Sequence, residues 1–218
     1  MYTEKLQVLR KEKVMRYYIA DLHFFHSNIN DRLDKRGFAN VEEMNEYLVK
    51  QWNSRVKPGD EVVIIGDISF GNAEQTNAIV RRLNGTKYLI KGNHDHKFLK
   101  DRGFDHSLFR SVKEYDEMND NGRRVILCHY PILFYNGQYR TLPDGKPATY
   151  MLSGHIHDTQ DMRLLEKVKE LYKQFTFERN NYGKITHEHI PFHLINCFCK
   201  YSNYVPLTLD EWITLQDN

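Results

Sequence analysis

The sequence predicts an α/β fold. Two observations carry that prediction. Short apolar runs are nearly continuous rather than alternating, as in strands of a sheet covered on both faces, and segments of helical periodicity lie between them. The first run is VMRYYIAD (14–21). It is followed by VEEMNEYLVKQWNSRV, where Val41, Met44, Leu48, Trp52 and Val56 recur on one helical face. A second strand is EVVIIGD (61–67). The next segment, NAEQTNAIVRRL, reads as a helix with Asn72 as N-cap and Gln75 three residues on, a capping-box pattern, with Gly85 expected to end it. KYLIKGN (87–93), RRVILCH (123–129), YMLSGH (150–155) and HLINCFC (193–199) supply further strands, and Thr208 with Glu211 caps a last helix through LDEWITLQ.

Two segments break the rhythm. Residues 131–149 carry three prolines and two glycines and read as one long loop, of a length that often overlies an active site. Residues 160–179 read as an inserted charged helix with an apolar stripe of Met162, Leu165, Val168, Leu171, Tyr172 and Phe175. The expected organisation is one domain over 1–218 with a helical insertion at 158–186.

Composition bounds the function. The chain has 218 residues, 40% hydrophobic and 28% charged, which suits an ordinary globular protein. Its 31 basic and 29 acidic side chains give a net charge of +2, which argues against long nucleic acid or a membrane surface as partner. No apolar stretch approaches the roughly 18 residues of a membrane span. The start, MYTEKLQVLRKEK, lacks the apolar core of a signal peptide, so a cytoplasmic location is expected. Cys128, Cys197 and Cys199 are odd in number and lack zinc-site spacing, so buried, inert thiols are expected. Histidines number eleven, and their placement matters more than their count.

Five of the apolar runs end in side chains able to hold a metal. ADLH gives Asp21 and His23, GD gives Asp67, GNHD gives Asn93, LCHYP gives His129, and SGHIH gives His155 and His157. Singly, each has a bland explanation: GD after a strand is a common turn, and a lone histidine is often a satisfied core residue. Paired polar groups after apolar strands are costly to bury without a partner, however. In open α/β sheets the carboxyl ends of strands are also where ligands bind. Together the blocks point to one site.

The order DxH, GD, GNHD, H, GHxH resembles the calcineurin-like metallophosphoesterase superfamily, in particular its small bacterial and phage-type members, over residues 17–157. The resemblance implies a four-layer α/β/β/α sandwich of two mixed sheets flanked by helices. It implies two divalent ions, one held by Asp21, His23, Asp67 and His157, the other by Asp67, Asn93, His129 and His155, with Asp67 bridging. Imidazoles with carboxylates and an amide suit manganese first, with iron, zinc or nickel as alternatives, over magnesium or calcium. The implied reaction is hydrolysis of a small phosphomonoester or phosphodiester by in-line attack of a metal-activated hydroxide. His94, beside ligand Asn93, is expected to protonate the leaving group, and Asp95 to orient His94.

His26 is expected to face the substrate phosphate. Tyr130 and Arg140, which share the long loop with Tyr135 and Tyr139, are expected to contact substrate, and the HEH at 187–189 to lie on the surface. GDISFG lacks the GDxxDR extension of the protein serine/threonine phosphatases, which argues against that activity. Two alternatives stand beside the phosphoesterase: a nuclease or cyclic-nucleotide phosphodiesterase on the same metal core, and a catalytically silent metal-binding scaffold or partner-binding module.

Overall fold

The computed structural model describes residues 13–217; the charged segment at 1–12 lies outside them. Strands β1 (Arg16–Ile19), β2 (Glu61–Ile65), β3 (Thr86–Ile90) and β4 (Ser111–Lys113) form one sheet in that order, parallel throughout. Helices α1 (Val41–Arg55), α2 (Ala73–Arg81) and the short α3 (His96–Leu99) lie in its crossovers. The second sheet contains β5 (Tyr115–Asp120), β6 (Arg123–Cys128) and β7 (Thr149–Ser153). After it come α4 (Gln160–Tyr172), a hairpin of β8 (Thr176–Asn181) and β9 (Lys184–His189), then β10 (Leu194–Asn196) and α5 (Leu209–Asp217). Strand order in the second sheet is β10-β7-β6-β5, with only the β5–β6 pair antiparallel.

Side-chain alternation along these strands sets the layers. Tyr17, Ile19, Val62, Ile64 and Leu89 face α1 and α2, burying Met44, Leu48, Trp52, Ile79 and Val80. The alternate residues Tyr18, Val63, Ile65 and Ile90 meet Val125, Leu127, Leu152 and Ile195 of the second sheet. On that sheet's far side, Ile126, Met151 and Leu194 lie under the long loop and α4 through Ile132, Leu133 and Leu165. The result is an α/β/β/α sandwich. The expectation of two mixed sheets holds for the second only. The first is wholly parallel because each passage from one of its strands to the next is a crossover rather than a hairpin turn.

The expected helix caps form. Asn72 Oδ1 accepts from Gln75 N (2.9 Å) while Gln75 Oε1 accepts from Asn72 N (3.0 Å). Thr208 Oγ1 accepts from Glu211 N and Glu211 Oε2 from Thr208 N. Three expectations need correction. Gly85 does not end α2, which stops at Arg81; it takes a left-handed turn (φ 85°) ahead of β3. The inserted helix ends at Tyr172 rather than 179, and the rest of the expected helical insertion is the β8–β9 hairpin. Tyr182 and Gly183 both take positive φ in its two-residue turn, the geometry that joins twisted antiparallel strands. The short strands β4 and β5 had no counterpart in the sequence reading. Among the described residues, no helix is long and apolar enough to cross a membrane.

Candidate metal centre

The ligand-bearing segments leave the C-terminal ends of β1, β2, β3, β6 and β7, so the parallel strands aim all of them at one edge of the sandwich. The chain must turn sharply as each ends. Asp21, His23, Asp67, His155 and His157 all take left-handed backbone conformations, φ 45° to 71°. Such a conformation is strained for residues with a Cβ, costs about 1 kcal/mol or more each, and clusters at functional sites.

These turns bring the donor atoms together. His23 Nε2 and His157 Nε2 are 3.2 Å apart, and His157 Nε2 is 3.5 Å from Asp21 Oδ1. Asp67 Oδ2 lies 3.7 Å from His23 Nε2 and 3.4 Å from His129 Nε2. Asn93 Oδ1 is 3.1 Å from His129 Nε2 and 3.0 Å from His155 Nδ1. Donors held about 2.1 Å from a shared ion in a tetrahedral arrangement stand about 3.4 Å apart, so these separations match edges of a coordination polyhedron. Asp21, His23 and His157 form one compact group, and Asp21, Asp67 and His129 another. Asp21 belongs to both, so two carboxylates lie between the imidazoles.

Proton bookkeeping shows that the residues fit a cation. His129 Nδ1 is 2.9 Å from the Ile65 carbonyl oxygen, which can only accept, so Nδ1 carries the hydrogen. Neutral His129 then turns a bare Nε2 lone pair toward the acceptor oxygens of Asn93 and Asp67. The same holds for His157, whose Nδ1 is 2.8 Å from Asp34 Oδ1. Acceptors facing acceptors require positive charge between them. In the metal-free protein protons supply it. Burial lowers the His129 and His157 pKa values, but the carboxylates outweigh it and push each up to about 9. His23, driven well below its ordinary value by burial and by neighbouring His157, stays neutral, with a lone pair free to hold a cation.

Close approach of backbone to ligand explains two glycines. A Cβ on Gly92 would lie 2.2 Å from Asp67 Oδ1, and one on Gly66 would lie 2.2 Å from His129 Nδ1. In both cases a candidate ligand from one motif rests on the bare backbone of another.

The other expected site residues divide. His94 sits at the rim, its side chain 41% exposed and its Nε2 4.0 Å from Asp67 Oδ2. The ring packs against Phe70 and His23. Asp95 does not orient it. That carboxylate is fully buried and accepts from Gly92 N (2.8 Å), Asp67 N (2.9 Å) and Ile68 N (3.0 Å), tying the GD turn to the GNHD turn. Burial and nearby Asp67 push its pKa up to about 7 against those three donors. His26 is buried beside His23 and Phe70, its Nδ1 accepting from Ile29 N. Tyr130 lies edge-on to His155 and His129 at the rim. Arg140 is held through its backbone to Gly137 and Ala148, and none of its described contacts is with a ligand. His187 and His189 are exposed, as expected.

Asp34 and Arg36 escaped the sequence reading. Asp34 holds His157 from behind, and Arg36 donates to Asp34 Oδ2 and to the carbonyls of Asp21 and Leu22. Their segment, NDRLDKRGF, reads as a solvated charged loop, and nothing in its pattern marks two of its charges as buried. The thiols contribute packing: Cys197 and Cys199 are buried, and Cys199 Sγ donates to Asp21 O.

Residues 15–174 match the calcineurin-like phosphoesterase superfamily domain. The chain belongs to that superfamily. An uncharacterized protein of Methanocaldococcus jannaschii, MJ1445, is 36% identical over 143 residues, covering 65% of this chain and 68% of its own. The Gene 66 protein of Mycobacterium phage L5 is 30% identical over 164 residues, 65% of this chain and 76% of its own. A crystal structure of AQ665 from Aquifex aeolicus, a protein of unknown function, shares the fold with a TM-score of 0.62 at 21% identity, across 93% of this chain and 100% of that one. Membership in the calcineurin-like superfamily and the two compact donor groups support a metal-dependent phosphoesterase in general.

Proposed function

We propose that the protein is a dinuclear metallophosphoesterase that hydrolyses a small phosphomonoester or phosphodiester, with manganese as its first-choice metal. The observation that carries the reading is the position of Asp67 Oδ2, within 3.7 Å of His23 Nε2 on one side and 3.4 Å of His129 Nε2 on the other. One carboxylate oxygen between two imidazole sets is what a bridging ligand requires. Asp21, His23 and His157 would complete one ion's shell, and Asn93, His129 and His155 the other's. Bound there, two divalent ions supply Lewis-acid activation of water and neutralise charge building on the phosphoryl oxygens.

The chain's own residues do the rest. Asn93 contributes a neutral oxygen, which adds no negative charge beside an anionic substrate. His94 is the group placed to donate a proton to the leaving oxygen. It lies next to the ligands, its backbone N–H donates to Asp67 Oδ1 (2.9 Å), and its ring faces solvent, from which an ester can approach. Tyr130 and Phe70, both partly exposed, flank the opening.

The test uses metal-free protein loaded with Mn²⁺ and assayed on p-nitrophenyl phosphate and bis-p-nitrophenyl phosphate, with EDTA as control. Turnover that needs metal, with two ions bound per chain, is expected. Silence on both esters at full metal loading would favour the scaffold instead, and the ratio of the two rates sorts monoesterase from diesterase.

A further inference from the structure

Resting on that dinuclear reading, we propose that Asp34, clamped by Arg36, is a positioning residue for His157, and that its loss weakens only the ion held by Asp21, His23 and His157. Asp34 Oδ1 receives the Nδ1–H of His157 at 2.8 Å. Its second oxygen accepts from Arg36 Nε at 3.1 Å and Nη2 at 3.0 Å, so the carboxylate cannot turn away. The same guanidinium reaches Leu22 O at 2.7 Å and Asp21 O at 2.8 Å, gripping the left-handed turn that presents two other ligands. Phe198 lies nearly parallel to the His157 ring, 4.7 Å between centroids, and closes off the remaining rotation.

The pair is buried, with the Arg36 and Asp34 side chains 0% and 4% exposed. A buried ion pair seldom adds net stability over an apolar replacement, so this one calls for a different reason. Fixing an imidazole's tautomer and ring angle so that Nε2 faces an ion is such a reason, and residues behind a ligand commonly change metal affinity 10–100-fold. The support is one-sided. His129 is backed by a neutral carbonyl, His155 turns its Nδ1 into the site toward Asn93, and His23 Nδ1 is buried with no hydrogen-bond partner among the described residues. Of the four imidazoles only His157 has a carboxylate behind it, so the effect should fall on one ion.

The experiment is a calorimetric titration of metal-free protein with Mn²⁺, with bound ions counted by electron paramagnetic resonance. For Asp34→Ala we expect one of two binding steps to weaken about 10–100-fold with the other unchanged. Asp34→Asn, which keeps an acceptor for Nδ1–H, should recover part of the loss. Unchanged affinity at both steps in Asp34→Ala overturns the proposal. Equal weakening of both steps without recovery in Asp34→Asn also overturns it, because that is the signature of a damaged fold. Should Asp34→Ala fail to fold, the Asn variant decides: a loss confined to one step supports the proposal and no loss refutes it. Wild-type protein that binds a single ion sinks the dinuclear reading instead, and the size of the Asp34 effect on that ion still decides the positioning role.

Discussion

At the scale of single residues, the site separates the groups proposed to hold a cation from one whose side chain faces solvent. His94→Ala should leave two bound Mn²⁺ ions but slow hydrolysis of an alkyl phosphate ester by about 10²–10⁴-fold, the usual worth of a positioned acid. Esters with good leaving groups, such as p-nitrophenolate, should suffer less. Equal loss on both substrates would remove His94 from that role. Asp95 is expected to behave differently. Its three backbone donors would be stranded by Asp95→Ala, at a cost of about 3 kcal/mol or more, read as a shift in the urea midpoint, with no new sensitivity to the leaving group. The seven candidate ligands stood out because each follows an apolar strand, where an unpartnered polar group is anomalous. The role of Asp95 was misread because adjacency in the chain says nothing about direction: its carboxylate turns to the backbone while His94 turns to solvent. Asp34 and Arg36 were hidden because charge in a loop ordinarily means water.

Among the elements, the capping boxes and core strands followed directly from residue pattern. The helix that ended early did not, since the stripe through Leu171, Tyr172 and Phe175 keeps helical spacing past the point where the chain extends. Three-residue β4 carries too little pattern to announce itself. The cap of α5 makes a pH-dependent claim. Burial raises the Glu211 pKa, but the Thr208 N–H and hydroxyl and the Arg55 guanidinium outweigh it and hold the value below the ordinary one. A group lowered in this way stabilises the fold fully above its unfolded pKa and loses that contribution as pH falls through its folded value. Glu211→Gln should therefore be less stable than wild type near neutrality, and the gap in urea midpoint should close in acid, below the ordinary glutamate range of about 4.3. A gap that persists unchanged into acid would show that ionisation is not its source.

For the molecule as a whole, two sheets share one interior, and α5 locks them together. Trp212 is fully buried among residues of both sheets and its Nε1 donates to Tyr18 O at 2.9 Å. Trp212→Ala should cost about 3–5 kcal/mol, measurable by chemical denaturation, even though the residue lies outside the site. Metal should act on global stability as well. An ion that binds only the folded chain adds about 2.7 kcal/mol at a hundred times its Kd, so Mn²⁺ should raise the Tm and EDTA reverse the shift. In Asp67→Ala, which lacks the carboxylate proposed to bridge the ions, that response should largely vanish.

The bare backbones of Gly92 and Gly66, on which Asp67 and His129 rest, make the motifs mutually dependent. A breeder of chimaeras cannot exchange one block with a distant cousin and keep the others: the seat for each gripping side chain is carved into a stretch inherited separately. Recombination should succeed only where both parents left those seats empty of a methyl group.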